Sequence, residues 1–128
     1  MSETSPVAVS GFDHLVLRCR SVETTLAWYV EVLGLPPVRV EQWRAGEVPF
    51  PSVRVNDDTI VDLIEGDPAP DRLDHICLVV EPTDLAEIAT SGRFDVLEGP
   101  VPRFGARGMG TSLYVRDPDG LVVELRHY

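Results

Sequence analysis

The sequence predicts an α+β fold in which two tandem βαβββ modules form a cupped mixed sheet with the helices on its outer face. The first observation is an internal sequence repeat. His14 and His75 each follow an aspartate and begin an apolar run, and they lie 61 residues apart. The second is that a helical segment and then three strand-like segments follow each run. The third is that Asp62 and Glu124, 62 residues apart, each interrupt the last apolar strand of a copy. A duplicated supersecondary unit is therefore predicted.

The elements of the first copy follow from capping residues and alternation. Ser21 is a suitable N-cap, and Gly34 a suitable C-cap, for a helix between them. Pro36-Pro37 ends that helix, and the residues after it alternate as a strand does. The other predicted elements are strands over 11–19 and 38–43, followed by a hairpin of strands over 52–56 and 59–64.

The second copy repeats this order. Pro82-Thr83-Asp84 opens a helix that ends near Gly92, and four glycines and two prolines between Gly99 and Gly110 predict a long loop. The predicted strands cover 74–80, 94–98, 111–116 and 121–126, the last two joined by a tight turn. The expected organisation is a flexible N-terminus over 1–10, modules over 11–65 and 73–128 with a linker over 66–72, all in one structural domain.

Composition narrows the function classes. A net charge of -10 argues against nucleic acid as a partner, because a phosphate backbone requires a basic surface. All eleven basic residues are arginine, which excludes lysine Schiff-base chemistry. Apolar runs are far shorter than the roughly 18 residues of a membrane span, and the start lacks an export signal, so no membrane partner and a cytoplasmic location are predicted.

Alternation in the hairpin strands separates an apolar face from a polar one. The apolar residues, which suit packing beneath the helices, are Val53, Val55, Val61, Leu63, Leu113, Val115, Val123 and Leu125. The residues of the opposite face are Ser52, Arg54, Asp62, Ser112, Tyr114, Glu124 and Arg126. A sheet face with so many polar groups is a poor core and predicts a binding cavity.

The histidines and carboxylates predict a metal site. Two imidazoles, from His14 and His75, with one or two carboxylates, from Glu124 and Asp62, suit divalent Zn, Fe, Mn, Co or Ni. The lack of a thiolate in this set argues against a closed structural zinc, so an open coordination position is expected. Asp62 has the shorter side chain and is alternatively a base, a group behind the ligands or a surface acid.

Four segments resemble the vicinal oxygen chelate superfamily, which includes glyoxalase I, methylmalonyl-CoA epimerase, extradiol dioxygenases and bleomycin resistance proteins. They are the segments 13–17, 28–35, 74–78 and 114–124, and the resemblance covers residues 11–128. It implies that His14, His75 and Glu124 are metal ligands, and it aligns Asp62 with a glutamate of glyoxalase-like members or a glutamine of epimerase-like ones. The superfamily supports several chemistries on one scaffold.

The resemblance implies chelation of a small oxygenated substrate and proton transfer by Glu124 or Asp62, as in a glyoxalase-like isomerase, lyase or epimerase. One alternative is a non-catalytic small-molecule-binding or drug-resistance protein of the bleomycin-resistance type. Another is an extradiol dioxygenase, which needs a further histidine at the metal. His127 has the opposite parity to Glu124 and argues against it. A homodimer with sites shared between the subunits is also implied.

Three residues are predicted to bind the substrate. Arg54 and Tyr114 are expected on the cavity face, where they suit a carboxylate or a phenol, with exposure to solvent as the alternative. Arg107, together with Arg103, suits an anion-binding lid in the glycine-rich loop, with a solvated loop as the alternative. The sequence does not identify the substrate or choose among the metals.

Overall fold

The computed structural model describes residues 5–128, so the first four residues of the predicted N-terminal segment lie outside the described residues. It confirms the α+β class and the twofold βαβββ pattern. We call His14–Asp74 the N-terminal unit, and we call His75–Tyr128 with the residues up to Asp13 the C-terminal unit. Over residues 5–128 no helix is both long and apolar enough to cross a membrane.

The N-terminal unit begins within β1, and its helix starts and stops where the capping residues predict. The Ser21 hydroxyl accepts a hydrogen bond from the Thr24 N–H at 3.2 Å, and the helix ends before Gly34, whose φ is +76°. The elements in order are β1 (Val9–Cys19), α1 (Val22–Ala27), a π-helical turn (Trp28–Val32), β2 (Pro37–Val38), α2 (Val40–Arg44), β3 (Ser52–Arg54) and β4 (Ile60–Glu65).

The predicted strand over 38–43 is wrong beyond its first residue. Arg39 has a left-handed backbone with φ of 59°, which ends β2, and α2 follows directly. Val40 and Trp43 are three residues apart, so both can pack against the core from one side of α2. Val55 was also expected on the apolar face, but it lies beyond the end of β3 and is 52% exposed.

From Leu73 onward the chain forms one helix and four strands, and these overturn the predicted loop between Gly99 and Gly110. β6 continues through this segment to Gly105, with two register irregularities, and pairs with β7 across a tight turn. Prolines are tolerated at such irregularities because they need not donate to the ladder. The elements are β5 (Leu73–Val80), α3 (Leu85–Ala89), β6 (Asp95–Gly105), β7 (Gly108–Arg116) and β8 (Val122–His127).

Strand order and direction are the same in both copies. β1 and β4 are parallel, as are β5 and β8, while the remaining neighbours are antiparallel in the orders β2-β3-β4 and β6-β7-β8. In the N-terminal unit Leu26 of α1 packs with Val53 and Leu63, and in the C-terminal unit Leu85 of α3 packs with Leu113. Val53, Leu63 and Leu113 lie on the apolar face that alternation predicts. Burying each of these side chains contributes about 1.5–3 kcal/mol to the stability of the fold.

Candidate functional site

The buried polar and charged side chains of residues 5–128 are concentrated in two places. They are Asp13, His14, Ser52, Asp62, Ser112, Glu124 and Arg126. Such groups are costly to bury unless they pair with one another. We call His14, Asp62, Ser52 and Arg39 the His14 cluster, in the N-terminal unit, and His75, Glu124, Ser112 and Arg126 the His75 cluster, in the C-terminal unit.

In the His14 cluster, parallel pairing places the imidazole beside the carboxylate. Asp62 of β4 pairs with Val16 of β1, and His14 precedes Val16 by two residues, so both polar side chains lie on one face. His14 Nε2 is 3.6 Å from Asp62 Oδ2. Both side chains are nearly inaccessible to solvent, which favours an ordered geometry over a solvated one.

The other oxygen of Asp62 is held from behind. Ser52 lies directly opposite Asp62 across the antiparallel β3–β4 pair and donates its hydroxyl hydrogen to Oδ1 at 2.5 Å. Arg39 Nη2 donates to Ser52 Oγ at 3.0 Å and is 4.0 Å from Oδ1. Burial lowers the pKa of Arg39, and the negative charge of Asp62 opposes that shift.

The His75 cluster has the same plan, with a shorter distance between the imidazole and the carboxylate. His75 Nε2 is 3.1 Å from Glu124 Oε1. The second oxygen, Oε2, accepts a hydrogen bond from the Ser112 hydroxyl at 2.6 Å and another from Arg126 Nη1 at 3.2 Å. Each carboxylate therefore has one oxygen facing an imidazole and one oxygen held by a serine.

Arg126 also contacts a second buried carboxylate, that of Asp13, with its Nε 3.7 Å from Oδ2. Asp13 in turn accepts hydrogen bonds from the Ala106 N–H at 2.9 Å and from the Tyr128 hydroxyl. Burial by itself would lower the pKa of Arg126, but the surrounding groups, chiefly Tyr128 and Asp13, raise it overall. The guanidinium is therefore charged throughout the physiological pH range.

Tyr114 is the predicted substrate-binding residue that lies against a proposed ligand. It pairs with Glu124 across the β7–β8 ladder, and its ring centroid is 5.8 Å from that of His75, edge to face. The Arg103 guanidinium lies 5.7 Å from the Tyr114 ring centroid. Burial raises the pKa of Tyr114 to about 12, with Glu124 adding to the rise and Arg103 opposing it.

The other two predicted substrate-binding residues make local contacts. Arg107 lies in the β6–β7 turn, where its guanidinium stacks over the Tyr128 ring at 4.3 Å. Arg54 donates to the carbonyls of Asn56 and Asp57 in the turn of its own hairpin, at 3.1 and 3.2 Å. Both contacts fix the arginine side chains at turns of the units to which they belong.

The two serines that hold the carboxylates were not predicted to be site residues, although the sequence contained a signal for them. Ser52 and Ser112 occupy matching places in the two copies, 60 residues apart, and alternation already put both on the polar face. Arg126 was on the same face, but the segment carried no sign that it is fully buried. Arg39 had no signal, because it reaches Ser52 from a left-handed residue that the pattern assigned to a strand.

Comparison with known proteins adds family information. The sequence model of the glyoxalase/bleomycin resistance protein/dioxygenase superfamily matches residues 11–125. Virulence protein STM3117 of Salmonella typhimurium is 32% identical over 131 residues, covering 98% of this chain and 90% of that protein. Glyoxalase domain-containing protein RDO1 of Mycosarcoma maydis is 33% identical over 127 residues, covering 95% and 70% respectively.

A solved structure shows the same fold. Methylmalonyl-CoA epimerase of Streptomyces coelicolor, in complex with 2-nitronate-propionyl-CoA, matches with a TM-score of 0.65. The match covers 94% of this chain and 98% of the epimerase chain at 21% identity. The likeness at this identity concerns the arrangement of strands and helices.

Proposed function

Because the chain belongs to the glyoxalase/bleomycin resistance protein/dioxygenase superfamily, we propose that it is a divalent-metal-dependent, glyoxalase-like isomerase, lyase or epimerase acting on a small oxygenated substrate. One observation carries this proposal. In both clusters a histidine Nε2 faces one oxygen of a buried carboxylate whose other oxygen is held by a serine hydroxyl. A carboxylate restrained in this way suits a metal ligand or a base, both of which need a fixed orientation.

The donor atoms fit a divalent metal. His14 and His75 supply imidazole nitrogens, and Glu124 and Asp62 supply carboxylate oxygens, a set that suits Zn, Ni, Co, Mn or Fe. We propose that these four residues are metal ligands. When bound, such an ion polarises neighbouring oxygens of a chelating substrate and stabilises the negative charge that develops on them.

Proton transfer is assigned to the carboxylates. Glu124 would leave the metal and act through Oε1 as the base that takes a proton from a substrate carbon beside a carbonyl group and returns it, with Asp62 Oδ2 as the second candidate. Ser112 and Arg126 occupy Oε2, so the proton is held at Oε1. Tyr114 keeps its proton at neutral pH because its pKa is about 12, and it can therefore donate a hydrogen bond to a substrate oxygen beside His75.

Substrate binding is proposed for Tyr114, Arg54 and Arg107, and Tyr114 has the strongest support because it contacts His75. The arginines suit an anionic group of the substrate. One solved neighbour in fold is named as an epimerase, which supports including an epimerase among the proposed reactions.

The proposed assembly is a homodimer in which the subunits share their metal sites. Sedimentation tests the dimer. Mixing His14→Ala subunits with His75→Ala subunits tests the sharing, because a shared arrangement restores one intact site in each mixed dimer. Mixed dimers that bind no more metal than either variant alone would show that each site is formed within one chain.

Metal analysis tests the function most directly. We expect protein purified without chelator, or reloaded after dialysis against one, to bind about one divalent ion per chain. His75→Ala should lose that ion, while Arg116→Ala, which alters an exposed arginine of β7, should keep it. Solvent deuterium exchange at carbons beside a carbonyl, followed by NMR over a panel of small hydroxy- and oxo-acids, then measures proton transfer.

Two results would contradict the proposal. Wild-type protein that cannot be loaded, or His75→Ala that loads as well as wild type, would rule out the metal site. The protein could instead load fully with metal and bind one compound of the panel saturably, yet catalyse deuterium exchange on none of them. That result would favour the non-catalytic binding protein.

A further inference from the structure

Arg126 is completely enclosed, and it connects Glu124 to the β6–β7 hairpin. It is 0% exposed, and its Nη2 donates to the carbonyls of Arg103 and Gly108 at 2.9 and 3.1 Å. Nη1 faces the opposite partner, Glu124 Oε2. The hairpin thus fixes one end of the guanidinium and leaves the other end directed at the carboxylate.

Two glycines of the hairpin make room for this arginine. A Cβ atom at Gly105 would lie 2.5 Å from Arg126 Cζ, and one at Gly110 would lie 2.5 Å from Arg126 Nη2. Neither distance is possible without displacing the guanidinium. Gly105 and Gly110, which lie in the segment predicted to be a loop, therefore serve a hairpin that lies against an arginine side chain.

Charge balance explains why a buried arginine is stable here. Asp13 lies on one side, itself restrained by the Ala106 N–H, and Glu124 lies on the other. With two carboxylates nearby, the guanidinium is compensated even though it is out of contact with water. Without its contact with Glu124, the Arg126 guanidinium would still be neutralised by Asp13. The contact with Glu124 therefore serves mainly to orient the Glu124 carboxylate.

Together, Ser112 and Arg126 make two hydrogen bonds to the same oxygen of Glu124. A glutamate can bind a metal through one oxygen or through both. Because Oε2 already accepts from two donors, ligation through both oxygens would break those bonds. Oε1, which lies 3.1 Å from His75 Nε2, is the oxygen that can bind a cation without breaking the bonds to Ser112 and Arg126.

We propose that Arg126 and Ser112 are positioning residues that restrict Glu124 to binding a metal ion through Oε1 alone, and that they thereby select against calcium. This inference rests on the proposed function. Calcium prefers six to eight oxygens and commonly takes both oxygens of a carboxylate, whereas zinc and cobalt accept fewer donors and imidazole nitrogen. A carboxylate limited to one oxygen disfavours the larger ion.

The test is a competition titration of the intact protein with Co²⁺ and Ca²⁺. For wild type we expect tight Co²⁺ binding and little competition by Ca²⁺. Ser112→Ala, which removes one hydroxyl, should weaken Co²⁺ binding about tenfold and narrow the Co²⁺ to Ca²⁺ affinity ratio. The visible absorption of bound Co²⁺ should shift as well, because a second carboxylate oxygen changes the coordination number. Arg126→Lys should act in the same direction.

Tyr128→Phe is the matched control, since it removes the hydroxyl bonded to Asp13 and keeps the ring that faces Arg126. It should lower stability while leaving the Co²⁺ spectrum and the affinity ratio unchanged. An unaltered ratio in Ser112→Ala, or an equal change in Tyr128→Phe, would overturn the positioning role while the metal site stands. Failure of wild type to bind Co²⁺ would overturn both proposals. If Arg126→Lys does not fold, the result for Ser112→Ala decides whether the donors to Oε2 position Glu124.

Discussion

The His14 and His75 clusters share a hydroxyl but differ in their arginine. In each, a serine from the neighbouring antiparallel strand donates to the oxygen that faces away from the histidine. Arg126 comes from β8 and bonds Glu124 directly at 3.2 Å. Arg39 comes from the β2–α2 junction and reaches Asp62 through Ser52. The serine thus belongs to the repeated pattern, while each unit supplies its cation from a different element.

This difference makes the two carboxylates unequal. Glu124 Oε2 accepts hydrogen bonds from Ser112 and Arg126, and His75 lies 3.1 Å from Oε1. Asp62 Oδ1 accepts one from Ser52, and His14 lies 3.6 Å from Oδ2. The pKa shifts of the arginines also differ in sign, since burial lowers the pKa of Arg39, whereas Tyr128 and Asp13 raise the pKa of Arg126 against the effect of burial. We therefore expect Glu124 to be the stronger ligand and Asp62 the weaker one.

The largest expected effect is on metal affinity. Glu124→Gln keeps the shape of the side chain but removes its charge, and it should weaken Co²⁺ binding by more than the roughly 100-fold upper value for supporting contacts. Asp62→Asn should cost about tenfold. Isothermal titration of both variants measures the difference. Equal losses would show that the two carboxylates contribute alike despite their different supports.

The next effect concerns stability. Arg126→Met leaves two carboxylates in the interior without their cation, and it should cost about 3–5 kcal/mol in the free energy of unfolding. Arg39→Met removes the donor to Ser52 and should cost about 1–2 kcal/mol. Urea denaturation at neutral pH compares them. If Arg39→Met lost more unfolding free energy than Arg126→Met, the His14 cluster would contribute more to stability than the His75 cluster.

The smallest expected effect is a pH dependence that belongs to the C-terminal unit. Burial and the hydrogen bond to Asp13 raise the pKa of Tyr128 to about 12, against about 10 in an unfolded chain. Stability from this group is complete below pH 10 and is lost between pH 10 and 12, because the unfolded chain releases the proton first. Tyr128→Phe should reduce the fall in unfolding free energy between pH 10 and 12. We assign the fall that remains to Tyr114, whose pKa is also about 12. An unchanged profile would argue against a raised pKa of Tyr128.

The sequence predicted the parts of the molecule that depend on local chemistry and repetition. Ser21 and Gly34 placed a helix, alternation placed Leu63 and Leu125 in the core, and the sequence repeat of His14 and His75 located the strands that carry the two clusters. A carboxylate in an apolar strand needs partners when it is buried, and both Asp62 and Glu124 have them.

The failures have a common physical cause, which is tertiary contact. Gly105 and Gly110 look like loop residues because their purpose, room for Arg126, depends on a strand that comes later in the chain. The left-handed backbone of Arg39 breaks an alternation that predicts a strand. No local pattern shows that an arginine two residues after Glu124 is buried, since surface strands often carry arginine there.

The hydrogen bond between Tyr128 and Asp13 joins residues 115 positions apart, and it has a consequence for synthesis on the ribosome. The N-terminal unit is one continuous segment, so it can fold while later residues are still being added. The C-terminal unit needs residues up to Asp13 and Tyr128 together, so its buried network closes after Tyr128 has left the exit tunnel. A mutation in that network should therefore reduce the yield of folded chains by extending the time for which hydrophobic strands stay exposed.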